Sequence, residues 1–451
     1  MPDRLSRADL MQYAVGRNAA ARQVGAVLLL GAGPGGAAAV RRVLADRLSA
    51  NPALRRRLRW PPPLRGRPYW ADDPGFDACA HIAETGCPAP GDERALHDLA
   101  AATIVTPLPA NRPPWSVTLV TGMADGSTGL IVVMDHVLAD GAAGLALLAG
   151  LSDQPAAPQS EPAAAGCRAD FAGTTHSTGA DGPPARQMAR DRGVHLLRAA
   201  VTELGGIKPP PRLPRTSLNR PTGPRRGIEV VAADLAGVRT FARANGGTVN
   251  DVVLAAVAGA LRELLAGRGE ELPEVCVSVP VSARRESADP RLGNQVGMMP
   301  VLVTTDGGLA ERVRRVASVT GKEKTRARGA SAALLVPVFL LLARVGLLAW
   351  FVNRQRLIST FVTNMHGPGQ RLAIAGAPVQ SIIAIPVTTG NVTVTFGVLS
   401  YAGALRITIV SDPARVPDAA ALAAAVNQEL TMVPMPRQVS PRVGLGGHYP
   451  G

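Results

Sequence analysis

Residues 131–151 read Ile-Val-Val-Met-Asp-His-Val-Leu-Ala-Asp-Gly-Ala-Ala-Gly-Leu-Ala-Leu-Leu-Ala-Gly-Leu, and this stretch decides the fold. Leu130–Met134 is a short continuous apolar run, the pattern of a buried strand, whereas Ala142–Leu151 is built of good helix formers. Asp135–Gly141 is then a strand-to-helix turn carrying one imidazole, two carboxylates and a glycine. A histidine at the end of a buried strand can be held still by the scaffold and pointed into a cleft, so His136 is the first candidate for chemistry.

Upstream, Ser6-Arg7-Ala8-Asp9 has the form of a capping box, Val24–Leu30 reads as a strand and Ala37–Leu48 as a helix. Between the last two, Gly31, Gly33 and Gly36 fit the spacing of a dinucleotide fingerprint. That fingerprint also needs an acidic residue about 20 positions on. Asn51–Trp60 is arginine-rich and has no carboxylate, which excludes a nicotinamide site and leaves a glycine turn. A helix over Glu93–Ala102 and a strand over Ser116–Thr121 follow. His81 and His97 have no local partners and read as structural or surface histidines.

Downstream, residues 152–187 are rich in Pro, Ser, Gly, Ala and Thr, too polar to offset their ordering entropy. We read a flexible crossover over 152–215 that separates an N-terminal domain, 1–151, from a C-terminal one, 216–451. In the latter, Gly227–Ala233 is a strand, Leu235–Ala244 a helix, and Thr248-Val249-Asn250-Asp251 opens a helix through Leu265 with ordinary N-cap residues. Val275–Val281 and Met298–Val303 read as strands and Ala310–Arg326 as a helix. From Ser359 the period becomes two, with strands at Thr360–Thr363, Leu372–Ile374, Val379–Ile385, Val392–Leu399 and Leu405–Val410, which look like members of one sheet with Val275–Val281.

The chain has 451 residues, enough for two cores. It is 46% hydrophobic but only 3% aromatic, so those cores are aliphatic. Its formal net charge of +14 comes almost wholly from arginine, since lysine occurs only at 208, 322 and 324. Genome composition accounts for much of this bias; the functional remainder is an affinity for anions such as acidic phospholipid or CoA phosphates. No aromatic-plus-basic platform or zinc-finger spacing points to nucleic acid. Cys79, Cys87, Cys167 and Cys276 are scattered and read as free thiols in a reducing compartment, no metal site is spaced, and no signal peptide is apparent at the N-terminus.

The spacing His136-x-x-x-Asp140-Gly141 resembles the signature of the CoA-dependent acyltransferase superfamily. Asn111-Arg112-Pro113-Pro114-Trp115, Ala139–Gly144, Ser217–Arg226, Asn250-Asp251, Gly293–Gly297 and Thr363–Pro368 narrow the resemblance to the bacterial wax ester synthase/diacylglycerol acyltransferase family. The family motif usually begins with two histidines; here Asp135 stands first and His136 second. The resemblance implies an α/β fold of two chloramphenicol acetyltransferase-like domains, each a mixed sheet with flanking helices, with the active site in a tunnel between them. It implies an O-acyltransferase moving a fatty acyl group from acyl-CoA to diacylglycerol or a fatty alcohol, with His136 as general base and Asp140, Gly141, Asn250 and Asp251 completing the site. Acyl-CoA is a co-substrate and no cofactor is permanently bound. Two other readings stay open: transfer to a hydroxyl of a non-lipid secondary metabolite, and a drifted, non-catalytic lipid-binding paralogue.

Lys322, Lys324, Arg326 and Arg328 are a candidate cluster for CoA phosphates, with a solvated helix face as the alternative. Leu334–Val352 is nearly all apolar, broken by Pro337, Arg344 and Gly346, and its insertion balance is slightly favourable, so hydropathy alone allows a span. A span would divide the strands on either side of it between two faces of a bilayer, so we expect a helix lying on the protein and on a lipid surface, with Arg344 reaching the headgroups. The expected location is cytoplasmic, peripheral at the inner membrane face or at lipid droplets, with the oligomeric state open.

Overall fold

The computed structural model describes residues 3–6, 9–10, 13, 22–62, 66–139, 141–153, 213–282, 296–327, 342 and 346–433. The first half contains β1 (Asp3–Arg4), β2 (Gln23–Leu30), α1 (Gly36–Ala50), β3 (Arg56–Arg59), β4 (Tyr69–Asp72), β5 (Ile82–Gly86), α2 (Glu93–Ile104), β6 (Trp115–Thr121), β7 (Thr128–Asp135) and α3 (Gly141–Gly150). The second contains β8 (Gly227–Asp234), α4 (Leu235–Ala244), α5 (Val249–Gly267), β9 (Glu274–Ser282), β10 (Val296–Thr304), α6 (Leu309–Ala327), α7 (Leu348–Val352), β11 (Thr360–His366), β12 (Ala373–Ile374), β13 (Ala377–Ile385), β14 (Val394–Tyr401), β15 (Ala404–Ser411) and α8 (Ala419–Thr431). The crossover read over 152–215 lies almost entirely outside the described residues.

Two six-stranded mixed sheets carry the fold, in the orders β12-β13-β2-β7-β6-β5 and β10-β9-β11-β14-β15-β8. A third, three-stranded sheet, β1-β4-β3, accompanies the first half. As expected, Val275–Val281 and the strand from Thr360 share a sheet, with Thr360 opposite Val277 in parallel register. The expectation that the strands after Thr360 stay together is corrected: β12 and β13, within the segment assigned to the second domain, join the first sheet, where Ile383 lies opposite Val27. The reason is burial. Strand β2 is flanked by β7 on one side and needs a partner on the other, and the last five residues of β13 are all buried.

The glycine turn after β2 exists for the same crossing. A Cβ on Gly33 would lie 2.7 Å from the Ala377 Cβ, and one on Gly31 2.9 Å from the Gln380 side chain, so the β12–β13 turn approaches as closely as glycine permits. Asp153, just past α3, fastens that turn: its carboxylate accepts from Ala375 N–H at 2.9 Å, Gly376 N–H at 2.7 Å and Arg47 at 2.8 Å. Burial opposes the charge, but these donors outweigh it and hold the carboxyl below its ordinary pKa. The stabilisation is therefore complete above the ordinary carboxylate range and is lost as pH falls through the lowered native value. We expect Asp153→Ala to cost about 2 kcal/mol, read as a fall in the urea midpoint at neutral pH that shrinks on acidification; an unchanged midpoint would show that the turn is held otherwise.

Three apolar clusters result. One is confined to the second half around α5, whose residues 252–258 are all 0% exposed. Another lies on the first sheet and takes in Leu399 and Tyr401 of β14. A third straddles the seam, joining Val27, Leu96 and Ile131 to Ile228 and Val410. At the rim of that seam Arg94 donates to both carboxylate oxygens of Glu229, at 2.8 and 2.7 Å.

Candidate active site

The motif strand ends as the sequence predicts, and its last residues are fixed by main-chain bonds. Gln23 pairs with Asp135 across β2 and β7, and one step further the His136 N–H donates to Arg22 O at 2.9 Å. The Asp135 N–H donates to Pro114 O at 2.9 Å, and the Leu138 N–H closes the turn on Asp135 O at 2.9 Å. The Pro113-Pro114-Trp115 segment is thus a clamp on the motif. Trp115 is 2% exposed, its indole N–H donates to Leu54 O at 2.7 Å, and the His81 ring stacks on it at 4.3 Å.

His136 sits half-buried at the start of this turn. Asp135, beside it, is 5% exposed, turned inward. One of its carboxylate oxygens accepts from the Val137 N–H at 3.1 Å; the other lies 3.3 Å from Arg22 Nε, an electrostatic contact rather than an aligned hydrogen bond. The Arg22 guanidinium in turn lies over the Tyr13 ring at 4.5 Å. Burial raises the Asp135 carboxyl above its ordinary pKa, against the pull of the Val137 N–H, Arg22 and His136. Its contribution to stability is therefore greatest at low pH and is lost as pH rises through the raised native value. Coupling between Asp135 and His136 is mutual, so a carboxylate here favours the imidazolium. We expect Asp135→Asn to move the acidic limb of the pH–rate profile to lower pH; a limb that stays put would mean the carboxyl is uncharged throughout that range.

The turn faces the second half of the chain. A Cβ on Gly141 would stand 2.6 Å from the Met365 sulfur on β11, so the glycine of the motif admits a strand of the other half. Asn250, half-buried at the start of α5, meets the same strand one residue away, where the Asn364 amide donates to its Oδ1 at 3.4 Å. Neighbours on a strand project to opposite faces. The motif turn and the start of α5 therefore reach β11 from its two sides, and the bond from Asn364 leaves the Asn250 amide N–H groups to donate.

Asp251 does something different. It is 2% exposed, accepts from the Thr248 N–H and hydroxyl, both at 2.8 Å, and from the Thr320 hydroxyl of α6 at 2.9 Å. With Thr248 it forms a capping box. Asp140 lies outside the described residues, as do the side chains of Lys322, Lys324 and Arg326 on α6. Arg22 was not read from the sequence: it lies in no recognisable motif and gains its role only through the sheet, whereas Asn364 was read only as part of the Thr363–Pro368 segment, with no role of its own. His81 donates its Nδ1–H to Trp115 O at 2.9 Å, and burial lowers its pKa. His97 is lowered to about 4, by burial first and then by Arg94. Cys276 is buried on β9, where burial pushes its thiol up to about 11, the opposite of an activated nucleophile.

The chain matches the wax ester synthase/diacylglycerol acyltransferase catalytic domain over residues 5–253 and the C-terminal domain of the same enzymes over residues 292–433. It belongs to the wax ester synthase/diacylglycerol acyltransferase family. Within that family it is 30% identical over 423 residues to a probable diacylglycerol O-acyltransferase of Mycobacterium tuberculosis and to a putative one of Mycobacterium bovis, covering 89% of this chain and of each relative. Its fold is similar to that of the wax ester synthase/diacylglycerol acyltransferase from Marinobacter aquaeolei VT8, at a TM-score of 0.69 and 20% identity, covering 96% of this chain and 98% of that one. It is also similar to the first condensation domain of the calcium-dependent antibiotic synthetase, at a TM-score of 0.61 and 19% identity, covering 95% of both chains. As a member of the wax ester synthase/diacylglycerol acyltransferase family, the chain is an acyl-CoA-dependent O-acyltransferase with the two-sheet α/β fold that its sequence implied.

Proposed function

We propose that this acyltransferase moves a fatty acyl group from acyl-CoA to a lipid alcohol, diacylglycerol or a long-chain alcohol, in one step within a ternary complex, with His136 as general base. The observation that supports this most is the setting of His136: half-buried, fixed through its main chain at the end of β7, in a turn whose glycine abuts β11 of the other half. An alcohol is too weakly acidic to ionise at neutral pH. A neutral imidazole takes the hydroxyl proton as the C–O bond forms, the thioester C–S bond breaks, and the same proton passes to the departing CoA thiolate. The products are the ester and free CoA.

Asn250 is the candidate donor to the developing oxyanion, a role worth about 2.7–4 kcal/mol where it has been measured. Both residues adjoin the end of β11, along which a tunnel between the halves would run. Asp140 shapes the turn, Gly141 lets it meet Met365, and Asp251 positions Asn250. Lys322, Lys324 and Arg326 are the candidates for the CoA phosphates. No permanently bound cofactor enters this scheme, and its long-chain substrates place the enzyme at a membrane or lipid-droplet surface on the cytoplasmic side. Among the described residues no helix is long and apolar enough to cross a membrane.

The test is purified protein with radiolabelled palmitoyl-CoA and diacylglycerol, hexadecanol or no acceptor. Acceptor-dependent release of CoA, with label in triacylglycerol or wax ester, is the expected result. Transfer confined to non-lipid hydroxyls, or lipid binding without turnover, would overturn the lipid-alcohol assignment.

A further inference from the structure

Where Leu213–Arg220 passes the loop that follows α7, the surface holds a pocket of about 550 Å³ that no step above uses. Its lining carries four arginines, Arg215, Arg220, Arg354 and Arg356, against one carboxylate, Glu270. That carboxylate already accepts the Ser217 N–H at 2.8 Å, and Arg356 is committed to Leu213 O through two nitrogens, at 2.9 and 2.6 Å. Arg215, Arg220 and Arg354 are exposed and make no ion pair among the described residues. Arginine is a residue of choice for phosphate, because its fork of donors matches phosphate oxygens. Glu270 follows the C-terminal end of α5, whose 19 residues put it roughly 28 Å along the helix from Asn250. The pocket is therefore separate from the proposed catalytic centre.

What adjoins the pocket identifies its ligand. Leu347 is 49% and Trp350 57% exposed, while Leu348 between them is buried. Arg354 lies over the Trp350 ring at 5.4 Å, so the apolar pair and the arginine mouth form one continuous surface. Leu347, Trp350 and Arg354 recur at helical spacing along one side. An aromatic and an aliphatic side chain offered to solvent beside unpaired arginines match a lipid interface, where the rings sit at headgroup depth and the cations meet phosphate. We propose that this surface docks the enzyme on anionic phospholipid, with the headgroup phosphate held by Arg215, Arg220 and Arg354 and with Leu347 and Trp350 seated in the interface. This rests on the reading that the acceptor is a lipid, and it identifies the partner from which that acceptor is drawn.

The experiment is sedimentation of the full chain with phosphatidylcholine vesicles with and without phosphatidylglycerol. Binding should require phosphatidylglycerol and weaken with salt. Arg215→Ala/Arg220→Ala should lower it about thirty-fold, about five-fold for each cation lost at an anionic surface. Arg215→Lys/Arg220→Lys should retain most of it, and Trp350→Ala should weaken binding while keeping its dependence on anionic lipid. All three residues are away from the proposed catalytic groups, so transfer from a short-chain acyl-CoA to a water-soluble alcohol, without vesicles, should be unchanged. Unchanged vesicle binding by the double alanine variant overturns the proposal. So does a raised KM for acyl-CoA in that soluble assay, which would assign the pocket to CoA phosphates. Loss of binding in variants of a protein that acylates no lipid alcohol would leave the docking surface standing and remove the acceptor reading instead.

Discussion

His136→Ala should lower acyl transfer about 10²–10⁴-fold, the usual worth of a general base such as we propose here, in kcat rather than in the KM for acyl-CoA. The fold should survive, because the bond that ties this residue to the sheet comes from its main-chain N–H to Arg22 O and is indifferent to the side chain. Circular dichroism and the denaturation midpoint of the variant are therefore controls with a definite expectation. The acceptor matters too: a more acidic alcohol needs less help from a base, so the deficit should shrink with trifluoroethanol in place of ethanol. A variant within a few-fold of the parent, with the same response to acceptor acidity, would take the base role away from His136.

Much of this site was legible because its parts are local. A buried run followed by a polar turn and an Ala/Leu stretch has one reading, and β7 and α3 sit where that reading put them. Arg56–Arg59 was not read as a strand, since its side chains resemble a solvated loop and only the pairing of Arg57 with Ala71 makes it one. The α8 helix escaped for a related reason: its alanine-rich sequence lacks contrast between faces, although Leu422 and Val426 are buried.

Long-range partners leave no local trace. The glycines at 31 and 33 could be read as a turn, but the cause, a hairpin from 340 residues later in the sequence crossing to cover β2, belongs to sheet pairing. The same holds for Asp135. By its letters it is a substitution beside the base; in the structure its carboxylate is shared between the Val137 N–H and Arg22, which itself leans on Tyr13. A histidine could not serve that site in the same way, because a carboxylate accepts the Val137 N–H on one oxygen and presents the other to the Arg22 cation, while a neutral imidazole has one acceptor nitrogen and no negative charge. The departure from the double-histidine motif thus comes with its own partners. A change of Asp135 to histidine should therefore be read with Arg22 changed alongside.

Asp251→Ala should be the most damaging change outside the proposed base, and its damage should be to structure. The residue satisfies the Thr248 N–H at the start of α5 and binds the Thr320 hydroxyl, all at a position 2% exposed. Thr248 stays as the N-cap, but losing the N3 half of the capping box costs about 1 kcal/mol, and stripping the Thr320 hydroxyl of its charged acceptor adds about 2 more. We expect about 3 kcal/mol in all, read as a lowered urea midpoint. The sequence alone allowed Asn250 and Asp251 to act as a catalytic pair, and the two alternatives differ in what Asp251→Asn does. If the carboxylate only fastens α5 to α6, the amide restores part of the bonding: its oxygen accepts from Thr320 or Thr248 but not from both sets of donors, so stability and activity recover together. If the carboxylate handles a proton, asparagine recovers stability and leaves kcat depressed. The geometry favours the first outcome, because both carboxylate oxygens are already occupied by Thr248 and Thr320. Asn250→Ala, which removes an amide bonded among the described residues only by Asn364, at 3.4 Å, should show the reverse pattern: little change in the midpoint and a fall in kcat.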